Sequence, residues 1–212
     1  MKVDDVVSRE TLHERLASFE REFARWAPRI NLVSRSERST LDRRHIDDSL
    51  QLLDGLDAVP RSWVDLGSGG GFPGLIVAAA LPDGAVTLVE SNAKKAAFLR
   101  SAALAMRLDV CVRSERIETV VPTLAPPEIV SARALAPLTD LLRMTAPWLA
   151  EGSLGIFPKG QGAVGEIATA RTHHDFGVAV RPSRTASDAS IVQIMGYRPH
   201  SAAFLGSDEE KA

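Results

Sequence analysis

Asp65 and the glycines that follow it are the residues of this sequence best placed for chemistry. The stretch VDLGSGGGFPG, Val64 to Gly74, carries five glycines in the eight positions from Gly67 onward, directly after a short apolar run. Glycines this dense let a chain turn sharply and bring bare backbone against a ligand, so Gly67, Gly69 and Gly71 are expected to face one. Gly69 to Gly74 match G-x-G-x-x-G, a pattern open to dinucleotides, so that ligand class has to be weighed. No Gly-Lys-Ser/Thr follows, which dismisses a P-loop.

Two carboxylates flank the bend. Asp65 opens a D-x-G-x-G with Gly67 and Gly69, where a carboxylate can pair with a ligand ammonium. Glu90 ends the next apolar run, placed to accept from ribose hydroxyls. Hydride-transfer machinery is missing: the only tyrosine, Tyr197, has no lysine four residues later. The ribose role of Glu90 is open to either ligand, but an ammonium partner at Asp65 and the missing hydride-transfer residues favour S-adenosylmethionine over NAD, with Ser68 inside the same site.

The surrounding elements are of the kind that position such a bend. Leu12, Leu16, Phe19, Phe23 and Trp26 are spaced for one face of a helix that stops before Pro28. RRHIDDSLQLLDGL aligns Ile46, Leu50, Leu53 and Leu56 on a second, ended by Gly55 and Pro60. From Ser62 short apolar runs alternate with helical patterns: SWVDL, AVTLVE, DVCVRS, EIVSARAL, SLGIFPKG, VAVRPS and ASIVQIMGY read as seven strands. This alternation predicts a doubly wound, Rossmann-like α/β sheet with an N-terminal helical extension, and the short loop before the last strand predicts an antiparallel hairpin at one end. Residues 1–60 are expected to be helices packed on the core, 61–199 the sheet domain and 200–212 a disordered tail.

Composition narrows the setting. With 212 residues, 45% of them hydrophobic and 25% charged, the chain holds enough apolar surface for one good core. Acidic residues stand where a signal peptide would need apolar ones, and the longest apolar run is too short to span a bilayer, so a cytoplasmic protein without membrane contact is expected. Cys111 is the only cysteine and reads as a buried core thiol in its strand. The net charge of −2 does not announce a nucleic-acid partner, so any phosphate-binding surface must be local. Candidates are the stretch with Arg29, Arg35, Arg38, Arg43, Arg44 and His45, and NAKKAAFLR with Lys94, Lys95 and Arg100.

NLVS (31–34), RHIDDSL (44–50), DLGSGGGFPG, SNAKKAAFLR, RIE (116–118), SARAL (131–135) and PKG (158–160) occur in an order that resembles the small-subunit ribosomal RNA guanine-N7 methyltransferases, also called glucose-inhibited division protein B. The resemblance covers about residues 10 to 196. It implies a class I methyltransferase sheet, S-adenosylmethionine as donor, and transfer to N7 of guanine 527 in 16S rRNA, within the small ribosomal subunit or an assembly intermediate. It places donor contacts at Gly67, Phe72, Ile117, Glu118 and Arg133, a ribose contact at Glu90, and RNA contacts at Lys94, Arg116, Arg133 and Lys159, to which the basic stretch adds Arg44 and His45 as candidates. Relatives often carry an arginine where this sequence has Ala189.

Guanine N7 has an in-plane lone pair and no proton to lose, so no general base is required. Arg116, Arg133 and Lys159 are therefore expected to orient the acceptor and its phosphates, because donation to N7 itself would block the attacking lone pair. His45 and Asp48 read as locking their helix over the donor pocket, and Trp26, Trp63 and Trp148 as core. The adjacent His173 and His174 point apart on a helix, so no metal site is expected there, and a monomer suffices. A small-molecule methyltransferase and a non-catalytic nucleotide sensor remain as alternatives.

Overall fold

A computed structural model describes residues 7–32, 43–81 and 86–198. Val33–Ser34 of the NLVS block, Arg35 and Arg38, and residues 199–212 with the expected tail lie outside them. Among the described residues the helices are α1 (Arg9–Trp26), α2 (Arg43–Leu50, continued by a 3-10 turn Gln51–Leu53), α3 (Gly74–Ala79), α4 (Ala93–Ala105), α5 (Ile117–Val120), α6 (Leu138–Ala150) and α7 (Ala163–Arg171). The strands are β1 (Trp63–Leu66), β2 (Val86–Val89), β3 (Val110–Arg113), β4 (Ile129–Ala132), β5 (Leu154–Lys159), β6 (Asp175–Pro182) and β7 (Ser190–Arg198).

The seven strands form one sheet in the order β3-β2-β1-β4-β5-β7-β6. Pairs β3-β2, β2-β1, β1-β4 and β4-β5 are parallel, while β7 runs antiparallel to both β5 and β6. The expected terminal hairpin is therefore present, with the last strand inserted inside the sheet. The order reverses between β1 and β4, which opens a crevice at the carboxyl ends of those strands.

Both faces of the sheet are covered, which is why its central strands are mostly apolar, with Asp65 and Ser131 the buried polar exceptions on β1 and β4. On one face Trp63, Leu88, Ile129 and Ile156 meet Phe19, Phe23, Ile46, Leu75 and Phe98 of α1 to α4. On the other, Val64, Leu66, Val89 and Val130 meet Val120, Leu141, Trp148 and Ala163 of α5 to α7. The five-residue stripe of α1 docks as its spacing requires: Phe19 and Phe23 are buried, with Leu12, Leu16 and Trp26 packed beside them. Ser8 caps that helix, accepting from the Thr11 N–H at 3.1 Å. All three tryptophans pack in the two cores, and Gly55 ends the second helical run at φ +76°.

Cys111 overturns its expected burial. It is exposed because β3 is the edge strand, so the sheet covers it from one side only. Among the described residues no helix is long and apolar enough to cross a membrane.

Candidate functional site

Parallel strands deliver the loops after β1, β2, β3, β4 and β5 to one edge of the sheet. The bend after β1 is anchored to its neighbour, since the N–H groups of Gly67 and Ser68 both donate to the Val89 carbonyl, at 2.9 and 3.1 Å. Gly67, Gly69 and Gly71 have φ of +68°, +50° and +90°, conformations that side-chain-bearing residues rarely adopt.

These glycines do not all face outward. Gly67 and Gly69 keep partly exposed backbone. Gly70 and Gly71 are buried: a Cβ at Gly70 would meet the Leu32 carbonyl oxygen at 2.7 Å, and one at Gly71 would meet Leu75 and Phe19 at 3.0 and 3.1 Å. Gly71 is thus small because α1 and α3 close on it, a correction to its expected place against a ligand. Ser68 is also buried, its hydroxyl donating to the Asp65 carbonyl at 2.9 Å.

Asp65 is likewise enclosed, with 0% exposure. One carboxylate oxygen accepts from the Ser131 hydroxyl at 2.7 Å and the other from the Gly74 N–H at 3.2 Å. Ser131 in turn accepts from the Trp63 indole N–H at 2.8 Å. The carboxylate expected to meet a ligand ammonium instead ties β1, β4 and the start of α3 together beneath the bend. Burial pushes its pKa up from 3.8 to about 6, against the opposing pull of the Ser131 hydrogen bond.

Glu90 stands where the sequence places it, at the carboxyl end of β2 and 8% exposed. Its oxygens accept from the Gly69 N–H at 2.9 Å and the Asn92 N–H at 2.7 Å, and each keeps a lone pair. Asn92 caps α4 by accepting from Lys94 N and Lys95 N. The Lys94 side chain is exposed on that first turn, and Arg116 and Glu118 are exposed at the start of α5 with Ile117 half-buried between them.

Arg133, just after β4, links the loops. It donates to His45 Nδ1 at 2.9 Å, lies 3.9 Å from Asp48 Oδ2 and stacks over Phe72 at 5.5 Å. His45 and Asp48 therefore do hold α2 against this edge. The burial of His45, which also touches Phe72, removes it from the expected RNA contacts, whereas the Arg44 side chain is exposed. Past Arg133, Ala134 takes φ +52° and Leu135 lies on the bend, 2.8 Å from where a Gly67 Cβ would stand.

Beside the bend opens a cavity of about 570 Å³, walled by Asp48, Gln51, Arg133, Lys159, Glu166 and Ser190 among others, with Ala189 on its lining. Lys159 donates to the Ala136 carbonyl and pairs with Glu166, each at 2.8 Å, leaving its side chain 8% exposed. It braces the cavity wall, a correction to its expected contact with RNA. Sequence reasoning missed Gln51, Glu166, Ser183 and Thr185. No motif contains them, and only the fold joins Gln51 to Ser183 and Arg184.

The arrangement offers a backbone cradle with an acidic neighbour next to a roomy cavity of mixed polar and apolar lining, which suits transfer between two bound reactants. A family model for rRNA small subunit methyltransferase G matches residues 12–189. The chain belongs to that family. Proteins named ribosomal RNA small subunit methyltransferase G from Cereibacter sphaeroides and Methylobacterium nodulans are 43% and 47% identical to it over 192 residues, 89% of this chain and 92% and 90% of theirs. Among solved structures, an O-methyltransferase from Bacillus cereus in complex with SAH aligns with TM-score 0.54 at 17% identity, covering 91% of this chain and 94% of that one. A ribosomal protein L11 methylase from Lactobacillus delbrueckii aligns with TM-score 0.54 at 16% identity, covering 73% and 77%. These two share the class I methyltransferase sheet with this rRNA small subunit methyltransferase G family member.

Proposed function

We propose that this protein moves a methyl group from S-adenosylmethionine to N7 of a guanine in 16S rRNA, guanine 527 by the family resemblance. The observation that carries the reading is the adjacency of the cradle, with Gly67, Gly69 and Glu90, to the cavity lined by Arg133. Relatives that are 42–47% identical over about nine-tenths of the chain carry an rRNA methyltransferase name, which supports RNA as the acceptor.

The residues present fit the donor. Gly69 offers open backbone at positive φ, Gly67 turns the chain at φ +68° beside Leu135, and Glu90 is pre-set by two backbone donors with acceptor capacity left for ribose hydroxyls. Ile117 and Glu118 lie after β3, which pairs with β2, and by the family resemblance would contact the donor there. Asp65 acts through the scaffold and holds the bend instead of gripping the donor. When bound, the donor supplies an electrophilic methyl on a sulfonium.

The chain's own task is placement. The N7 lone pair forms the new N–C bond as the methyl–sulfur bond breaks, with its electron pair left on sulfur, so no residue need remove a proton. Arg133, held by His45 and stacked on Phe72, is rigid enough to set the boundary between donor and acceptor. Exposed Lys94 and Arg116, beside the loops after β2 and β3, are side chains placed to meet phosphate.

The test is transfer of labelled methyl to small subunits from cells lacking this gene, against free 16S rRNA and small-molecule acceptors. Label in the RNA, with a rate that falls steeply as salt rises, is the expected result. Label confined to a small molecule and insensitive to salt would favour a small-molecule methyltransferase instead, and donor binding without transfer to any acceptor would favour a sensor.

A further inference from the structure

Two carboxylates line the acceptor cavity, and they are engaged differently. One oxygen of Glu166 accepts from both Lys159 and the Leu138 N–H, which commits it to the wall. Asp48 has both its close contacts on one oxygen: Oδ1 accepts from Gln51 Nε2 at 3.2 Å and from the Thr185 hydroxyl. Oδ2 has Arg133 Nη1 at 3.9 Å, within ion-pair range but past hydrogen-bond length. The Asp48 side chain is 21% exposed, so this second oxygen keeps acceptor capacity at the cavity wall.

The support behind Asp48 is built from a distant part of the chain. Gln51 is buried, its Oε1 accepts from the Arg184 N–H at 2.9 Å, its backbone carbonyl accepts from Arg181 at 2.8 Å, and its Nε2 also donates to Ser183. With its amide turned this way, Gln51 can only donate to Asp48, which fixes the carboxylate's orientation.

We propose that Asp48, oriented by Gln51 and Thr185, is a specificity-determining residue that accepts from the ring N1–H and amino group of the acceptor guanine. The inference rests on the proposed function. That edge of guanine lies opposite N7, so a base held there keeps N7 clear for the methyl. Adenine turns an acceptor nitrogen toward the same carboxylate and is repelled. As methylation makes the purine cationic, its N1–H becomes a stronger donor and the ring is drawn to the carboxylate, so the contact strengthens toward the transition state.

The experiment measures steady-state transfer to unmethylated small subunits by wild type, Asp48→Asn and Gln51→Ala, with donor affinity by calorimetry and Tm for each. Asp48→Asn is expected to lower kcat by roughly 10- to 100-fold while donor Kd stays put and Tm falls by at most about 4 °C, since Asn keeps an oxygen for Gln51 and Thr185. Gln51→Ala, which keeps the charge but frees it, is expected to fall between the two. Subunits reconstituted with inosine at the acceptor, lacking the amino group, are expected to slow the wild type and leave Asp48→Asn unaffected by the swap. Unchanged kcat in Asp48→Asn, an equal loss of donor affinity, or an inosine penalty that persists in the variant would overturn the assignment. A wild type inert on RNA would overturn the proposed function and this inference together.

Discussion

Replacing Asp65 by Asn tests whether a carboxyl sealed under the glycine bend titrates as its burial requires. Its pKa is raised from an ordinary 3.8 to about 6, roughly two units, and at about 1.4 kcal/mol per unit the folded protein prefers the protonated form by about 3 kcal/mol. For an acid raised in the folded state, this stabilisation is full below pH about 4 and is lost as pH climbs through about 6. Urea unfolding of wild type and Asp65→Asn across pH 4 to 8 isolates the group, because the other titrations are common to both proteins. The wild type should lose about 3 kcal/mol relative to the variant between pH about 4 and 6.5, and the difference should level off above pH 7. A difference that is flat, or that grows in favour of the wild type with rising pH, would refute the reasoning, since the carboxyl would then ionise at or below its usual value.

Three further outcomes follow from the same contacts. Gly67→Ala forces a side chain into φ +68° and against Leu135, so a stability loss of about 1–2 kcal/mol by urea unfolding and a donor affinity at least roughly tenfold weaker by calorimetry are expected. Glu90→Ala strips the acceptor from the Gly69 and Asn92 N–H groups, and donor Kd measured by calorimetry should rise by roughly 10- to 100-fold. Phe98→Ala empties a fully buried site packed on Phe19, Phe23 and Trp26, and should cost about 3–5 kcal/mol in unfolding experiments while the surviving folded protein keeps its kcat.

The seven strands and the glycine bend were legible because short apolar runs between amphipathic helices have few architectures open to them. What was not legible depends on where each strand lies in the sheet. Nothing local marks β3 as the edge, so the alternation around Cys111 read as core. D-x-G-x-G located Asp65 correctly, but its inward direction follows from the register that sets it opposite Ser131 on β4. Likewise the bend's glycines divide between ligand side and protein side only once Leu32, Phe19 and Leu75 close around them. Lys159 read as a phosphate contact because the family resemblance puts it among the basic residues around the cleft, and Glu166 on α7 pairs with it instead. Gln51 sits next to a recognised motif, yet its partners Ser183 and Arg184 stand more than 130 residues away and carry no signal of their own.

The most direct measurement is the position of the methyl group. Small subunits from cells lacking the gene are treated with the purified protein and S-adenosylmethionine, and their 16S rRNA is reduced and cleaved with aniline, which cuts the chain at N7-methylguanine. One new scission, at guanine 527 and dependent on both protein and donor, is the expected result. Methyl incorporation with no scission there, or scission at another guanine, would contradict the account.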